Sequence, residues 1–308
     1  MAIVSVDEAF KELLRRIELN PARVELASQR YNAVKESIET ALPGKTVRQI
    51  GSFQRKTKIR PADLSDRLDI DVVVSFGSFY HYAPTGSQGG VSPAFALEIV
   101  RQGLRRNETY RVMPQSQDHP TIRLEYADQM AIEMVPAYED LTGQHPHGLG
   151  HPACYIVGAS PYHWVPADYD YDAQLISGLN ALSEEKLIPS IKLVKSYFRN
   201  ANVPLKSFHT EILVANSVPS LISEWNGKRY RYGYHHILAG FLSRASQIIT
   251  AQGQLSGSFS PPINSGLNFA SLSALGTFLA ARANVAWQLA GTNTVAGWRE
   301  FFGDPFPA

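Results

Sequence analysis

Apolar residues recur at helical spacing near the amino end, where Phe10, Leu13, Leu14 and Ile17 form one stripe. That spacing predicts a first helix there and a second from Pro21 to Leu42, closed by Pro43-Gly44. The period then shortens. Val47 to Ile50 predicts a short strand ending at Gly51-Ser52, and the Val- and Ile-rich run Leu68 to Phe76 predicts the strongest strand. Ala94 to Arg106 returns to helical spacing, and Tyr110–Met113, Thr121–Tyr126 and Met130–Val135 follow as strands. A stretch rich in Gly, Pro and His, Thr142 to Pro166, predicts a crossover loop. Beyond it the pattern is helical over Ala173–Asn200, Ser207–Trp225, Tyr234–Ala251, Leu267–Ala290 and Val295–Phe302. Strands mixed with helices in front and helices alone behind predict an α+β chain of two lobes, 1–165 and 166–308. The N-terminal helices are free to pack on the later lobe.

Composition narrows the class. With 308 residues, 44% hydrophobic and 19% charged, the chain can bury a substantial core, and long disorder is excluded. A net charge of +1 argues against a protein that coats duplex DNA, which carries a larger basic excess. Cys154 is the single cysteine, so no intrachain disulfide forms and no multi-cysteine zinc module exists. Met1 to Leu14 carries Asp7, Glu8, Lys11 and Glu12 and lacks a signal-peptide core. No apolar run is long enough to span a bilayer, because Pro261 and Pro262 break the uncharged stretch Ala245 to Ala281. A cytoplasmic protein is the expectation.

The candidate chemistry centres on Leu68-Asp69-Ile70-Asp71-Val72-Val73-Val74. Alternation along a strand puts Asp69 and Asp71 on one face and Ile70, Val72 and Val74 on the other. Isolated Asp-x-Asp is commonplace on a strand with one solvated face. Here apolar residues flank the pair on both sides, which predicts a central strand, where two acids together are tolerable around a divalent cation. Upstream, Gly51-Ser52 follows a short strand. Glycine admits close approach of a ligand, and the N–H groups opening the next turn attract phosphate oxygens. Glu133, in Ala131-Ile132-Glu133-Met134-Val135, is a lone acid in an apolar strand. It either points to solvent from an edge strand or, with Asp69 and Asp71, supplies the third ligand of a two-magnesium site.

These residues resemble the polymerase-β-type nucleotidyltransferases, and more narrowly the cGAS/DncV-like enzymes of bacteria. The resemblance runs through Gly51-Ser52, Arg55-Lys56-Thr57-Lys58-Ile59-Arg60-Pro61, Asp69-Ile70-Asp71 and Glu133-Met134-Val135-Pro136-Ala137. It continues through Ile191-Lys192-Leu193-Val194-Lys195-Ser196-Tyr197-Phe198 and Ser207-Phe208-His209-Thr210-Glu211-Ile212-Leu213. The third acid is Glu where many relatives have Asp. The family fold implied is a polymerase-β-like nucleotidyltransferase lobe with a central mixed sheet, a helical C-terminal lobe, and an active site in the cleft between them.

The implied activity is synthesis of a cyclic di- or trinucleotide second messenger from nucleoside triphosphates, ATP among them, with release of pyrophosphate, in anti-phage signalling. The cofactor implied is a pair of Mg²⁺ ions about 3.5–4 Å apart, replaceable by Mn²⁺, held by Asp69, Asp71 and Glu133. Gly51 and Ser52 would grip the triphosphate. Lys195, and more weakly Lys192, would contact phosphate from a helix face they share with Arg199, a face whose plainer reading is solvation. Ser207 would bond the donor nucleotide, and Phe208 would stack on a base or serve the core.

The basic run Arg55, Lys56, Lys58 and Arg60 either helps hold phosphates or is solvated. His145, His147, His151 and Cys154 have a spacing that suits zinc, or form an ordinary surface loop. The expected partners are nucleotides, a separate effector protein responding to the product, and a regulatory or conjugating partner at the C-terminus. No obligatory DNA or RNA and no membrane is expected. The rival readings are a template-independent RNA or tRNA nucleotidyltransferase, a nucleic-acid-gated sensor and a catalytically dead binding module.

Overall fold

The structure is a computed structural model that describes residues 5–62, 66–78, 91–118, 120–139, 154–158, 163–251, 267–292 and 294–307. The chain divides into two compact units. A sheet unit comprises Leu19–Lys56 and Pro61–Ala173, and a helical unit comprises Met1–Glu18, Thr57–Arg60 and Gln174–Ala308. Neither is a continuous stretch of chain: the first helix and the short segment Thr57–Arg60 belong with the C-terminal helices.

In the sheet unit, helix α2 (Pro21–Ala41) starts with Asn20 accepting from the Ala22 N–H and with Pro21 in the first turn. Strand β1 (Thr46–Gln49), the one-turn helix α3 (Gly51–Gln54), strand β2 (Leu68–Ser78) and helix α4 (Pro93–Arg105) follow. Then come α5 (Glu108–Val112), β3 (Gln115–Asp118), β4 (Thr121–Glu125), β5 (Met130–Glu139), β6 (Cys154–Val157) and β7 (Trp164–Ala167). The sheet runs β1-β2-β5-β4-β3, and β6 and β7 extend it from the far end of β5. β2 and β5 are parallel; the other pairs are antiparallel. The β-branched run of β2 is buried on both faces from Val72 to Val74, as a central strand requires. One sheet face, with Ile70, Val72, Ile132 and Met134, is buried with Val34 and Ile38 of α2 and Leu97, Val100 and Leu104 of α4.

The helical unit contains α1 (Val6–Ile17), α7 (Leu187–Asn200), α8 (Ser207–Gly227), α9 (Tyr234–Thr250), α10 (Phe269–Thr292) and α11 (Val295–Phe302), while α6 (Tyr169–Leu182) spans the boundary. Phe10 is the hub of the core, with Trp298, Phe302 and Phe306 edge-on to it at 5.1–5.7 Å. The residues from Gly303 to Pro307 are anchored here: Phe306 is buried and Arg16 Nη1 donates to the Pro305 carbonyl at 3.3 Å. Among the described residues no helix is long and apolar enough to cross a membrane.

Three local expectations are corrected. Tyr110–Met113 is not a strand: the Asn107 side chain accepts from the N–H groups of Thr109 and Tyr110 and caps α5, leaving Val112 77% exposed. Ala173–Asn200 is not one helix. Glu184 and Glu185 take φ of +53° and +57°, and Asn180 bridges the break by accepting from the Ile188 N–H at 2.9 Å. The stretch Thr142 to Pro166 is not all loop, because β6 and much of β7 lie within it. His145, His147 and His151 lie outside the described residues. Cys154 is buried, its thiol donating to the Ala167 carbonyl at 3.3 Å, and burial pushes its pKa up, helped by Glu139.

Candidate active site

Strand pairing decides which acids meet. β2 and β5 run in register with Asp71 opposite Glu133 and Asp69 opposite Ala131, while β4 sets Arg123 opposite Glu133. Facing residues of paired strands point to the same side of a sheet. Asp69, Asp71, Glu133 and Arg123 therefore share one face, opposite the core packed by α2 and α4. Glu133 stands on a central strand flanked by β2 and β4, so the edge-strand reading is excluded.

The polar face is held by ion pairs. Arg123 Nη2 lies 2.7 Å from Asp69 Oδ1, and its Nη1 lies 3.1 Å from Glu133 Oε1. Its Nε is 3.7 Å from Glu125 Oε1, which Arg67 also engages at 2.9 Å. Farther along the same face, Arg48 binds Glu139 at 2.6 Å and Asp170 at 2.8 Å, and Gln54 donates to the same Asp170 oxygen. Burial opposes the charge on Arg48, but the two carboxylates outweigh it and its pKa rises. Tyr169, beside Asp170, stays a phenol: burial pushes its pKa up, reinforced by Cys154, Asp71 and Asp172.

Gly51 joins the phosphate-type turn to the acids. The Ile50 N–H donates to the Asp71 carbonyl at 2.9 Å, which pins the start of α3 against β2. Gly51 has φ +73°, and a Cβ there would stand 2.2 Å from Asp71 Oδ2. Only glycine fits, for backbone conformation and for space. Ser52, the next residue, is almost wholly buried. Gly51, Ser52, Asp69, Asp71 and Glu133 all belong to the sheet unit, with Gly51 against Asp71 and the three acids on one sheet face.

Three carboxylates on one sheet face, two of them opposite in register, are a hard-oxygen donor set suited to magnesium. The arrangement as it stands is held differently. Among the described residues no three His, Cys, Asp or Glu side chains are close enough to share an ion, and the positive charge bridging Asp69 and Glu133 is the Arg123 guanidinium.

The remaining site candidates lie in the helical unit. Lys195, the expected phosphate contact, is 8% exposed, with Nζ 3.0 Å from Glu211 Oε1 and 3.0 Å from the Thr57 carbonyl. Thr57, fully buried, donates its hydroxyl to the second Glu211 oxygen at 2.8 Å. Lys192 binds Glu18 at 2.8 Å, and Arg199 donates to the Arg60 carbonyl at 2.9 Å. Arg60 N–H in turn reaches the Ile17 carbonyl. The cations of α7 thus fasten Thr57–Arg60 and the end of α1 to this unit. Of the basic run, Arg55 is buried and Lys56, with φ +59°, is exposed. Ser207 is exposed at the start of α8, and Phe208 beside it is half-buried.

Residues 4–147 match the Second Messenger Oligonucleotide or Dinucleotide Synthetase domain family. A protein of Bacillus cereus strain VD146 described as a probable cyclic nucleotide synthase is 22% identical over 90% of this chain and 87% of its own length. The fold matches that of CdnC from Escherichia coli MS115-1, solved with ATP (TM-score 0.66, 15% identity, 99% of both chains). It also matches the Vibrio cholerae DncV cyclic AMP-GMP synthase, solved with a linear pppA(3′,5′)pG intermediate (TM-score 0.69, 10% identity, 99% of this chain and 97% of that one).

The fold is the one that CdnC and DncV share. The fold class expected from sequence, a polymerase-β-like mixed sheet with added helices, holds. Sequence reasoning missed Arg123, Arg48 and the Thr57–Glu211 pair. Arg123 carried a faint signal, a cation at an alternate position of the predicted strand Thr121–Tyr126. Nothing in the sequence placed it beside Asp69, because the β4–β5–β2 order is not written in any local pattern.

Proposed function

We propose that this chain is a cGAS/DncV-like nucleotidyltransferase that joins nucleoside triphosphates into a cyclic oligonucleotide second messenger and releases pyrophosphate, in anti-phage signalling. The observation that carries the reading is the shared face of Asp69, Asp71 and Glu133, with Gly51 packed against Asp71. Asp69, Asp71 and Glu133 would hold magnesium, which supplies charge stabilisation at the reacting phosphate and acidifies a ribose hydroxyl. Gly51, which lacks a Cβ, and the Ser52 hydroxyl bind and orient the triphosphate. Ser207 and Phe208 contact the nucleotide, Ser207 by hydrogen bonding and Phe208 by stacking. Lys195 contributes by holding the segment Thr57–Arg60, through Thr57 and Glu211, rather than by touching phosphate directly. The product acts on a separate effector protein.

Incubation with each labelled triphosphate in Mg²⁺ or Mn²⁺, followed by phosphatase, tests the reaction. The expected outcome is a small phosphatase-resistant product that disappears in Asp69→Asn/Asp71→Asn while the unfolding midpoint holds. Long ladders or labelled added RNA would replace the cyclase by an RNA nucleotidyltransferase. No turnover under any condition would overturn the enzymatic reading.

A further inference from the structure

Arg123 is a side chain on the polar sheet face, next to the three acids, that the reaction above does not use. It is 13% exposed, rises from the strand next to Glu133, and binds Asp69 at 2.7 Å and Glu133 at 3.1 Å with different nitrogens. A guanidinium is planar, permanently charged and able to bond two carboxylates at once, so it can take the electrostatic place of a cation between them. Three carboxylates on one strand pair repel one another, and repulsion between like charges a few ångströms apart would spread them. The Arg123 fork removes that repulsion at Asp69 and Glu133. Those two acids are also two of the three that would hold magnesium, and a carboxylate oxygen engaged by a guanidinium is less available to a metal.

We propose that Arg123 is a built-in counter-ion that competes with the divalent cation for Asp69 and Glu133. It is a positioning residue: it keeps the acids ordered on the sheet before the cation arrives, and it sets the cation concentration at which the site fills. Glu125, which Arg67 engages at 2.9 Å and which lies 3.7 Å from the Arg123 Nε, offers the displaced guanidinium another carboxylate. The inference rests on the proposed function only in taking these acids as the cation site.

The test is Mn²⁺ binding to the nucleotide-free protein, read by the loss of the free-ion magnetic resonance signal, for wild type, Arg123→Gln and Arg123→Lys. Removing one positive charge a few ångströms from the cation should tighten Mn²⁺ binding by about tenfold in Arg123→Gln. Arg123→Lys keeps the charge and should stay within about threefold of wild type, since the sign of the effect follows charge rather than shape. In chelator the Arg123→Gln protein should melt lower than wild type, and added Mn²⁺ should raise its melting temperature more. Weaker or unchanged Mn²⁺ binding by folded Arg123→Gln overturns the counter-ion role; if that variant does not fold, weakened binding by Arg123→Lys overturns it instead. A wild-type protein that binds no Mn²⁺ overturns the metal site itself, an outcome distinct from the first two.

Discussion

Replacing Gly51 by Ala makes two separable demands on the molecule. The first is conformational: at φ +73° an L-residue costs about 1–2 kcal/mol more than glycine. The second is steric. The new Cβ would lie 2.2 Å from Asp71 Oδ2 and 2.8 Å from its Cγ, whereas ordinary contact begins near 3.4 Å. Relief needs a retreat of about 1 Å by the Asp71 carboxylate, and displacements of that size in a reacting site cost on the order of 100-fold in rate. Asp71 is half-exposed, so its side chain can swing aside without disturbing the core. The rate should therefore fall by about 100-fold or more, while stability falls by only about 1–2 kcal/mol.

Gly44 provides the control, since it has φ +79° and open space where a Cβ would go. Gly44→Ala should lose comparable stability and keep its activity. Pyrophosphate release and urea unfolding, measured on both variants, separate the terms. Wild-type turnover by Gly51→Ala would refute the argument that the turn fixes Asp71.

Two further outcomes follow from the helical unit. Lys195→Met leaves the buried Glu211 without its cation and should cost about 3–5 kcal/mol in urea unfolding, with Lys195→Met/Glu211→Leu recovering most of it; a Lys195→Met protein of wild-type stability but reduced turnover would restore a direct phosphate contact. His235 sits against Phe10 and Trp298, 3.2 Å from Asp7, and burial, then the neighbouring His236, lowers its pKa to about 4 against the partial opposition of Asp7. The unfolded chain then binds a proton on His235 near pH 6.5 that the folded one refuses until about pH 4, so stability is full above pH 6.5 and lost as pH falls through that window. The urea midpoint should drop over that range, less so in His235→Asn, and an equal drop in both proteins would remove His235 as the cause.

Much of the fold was legible because its signals are local. β2 is a run of Val and Ile bounded by turns, α2 and α4 begin at Asn20-Pro21 and Ser92-Pro93, and α1 carries its apolar stripe at helical spacing. The local signals failed where a side chain overrode the pattern. Asn107 capped α5 inside an apparent strand, and Asn180 held two glutamates in left-handed conformation across an apparent helix.

The site divides along the same line. By alternation alone, the sequence determined that Asp69 and Asp71 share a face, and the glycine after a short strand marked a tight turn. Only tertiary structure decided that β5 lies beside β2 with Glu133 opposite Asp71, that Arg123 reaches across from β4, and that Lys195 spends its charge on Glu211. The physical reason is one of range. Periodicity and capping act within a few residues of chain, whereas strand order, register and the pairing of buried charges are settled by which surfaces can be desolvated together, among groups far apart in sequence.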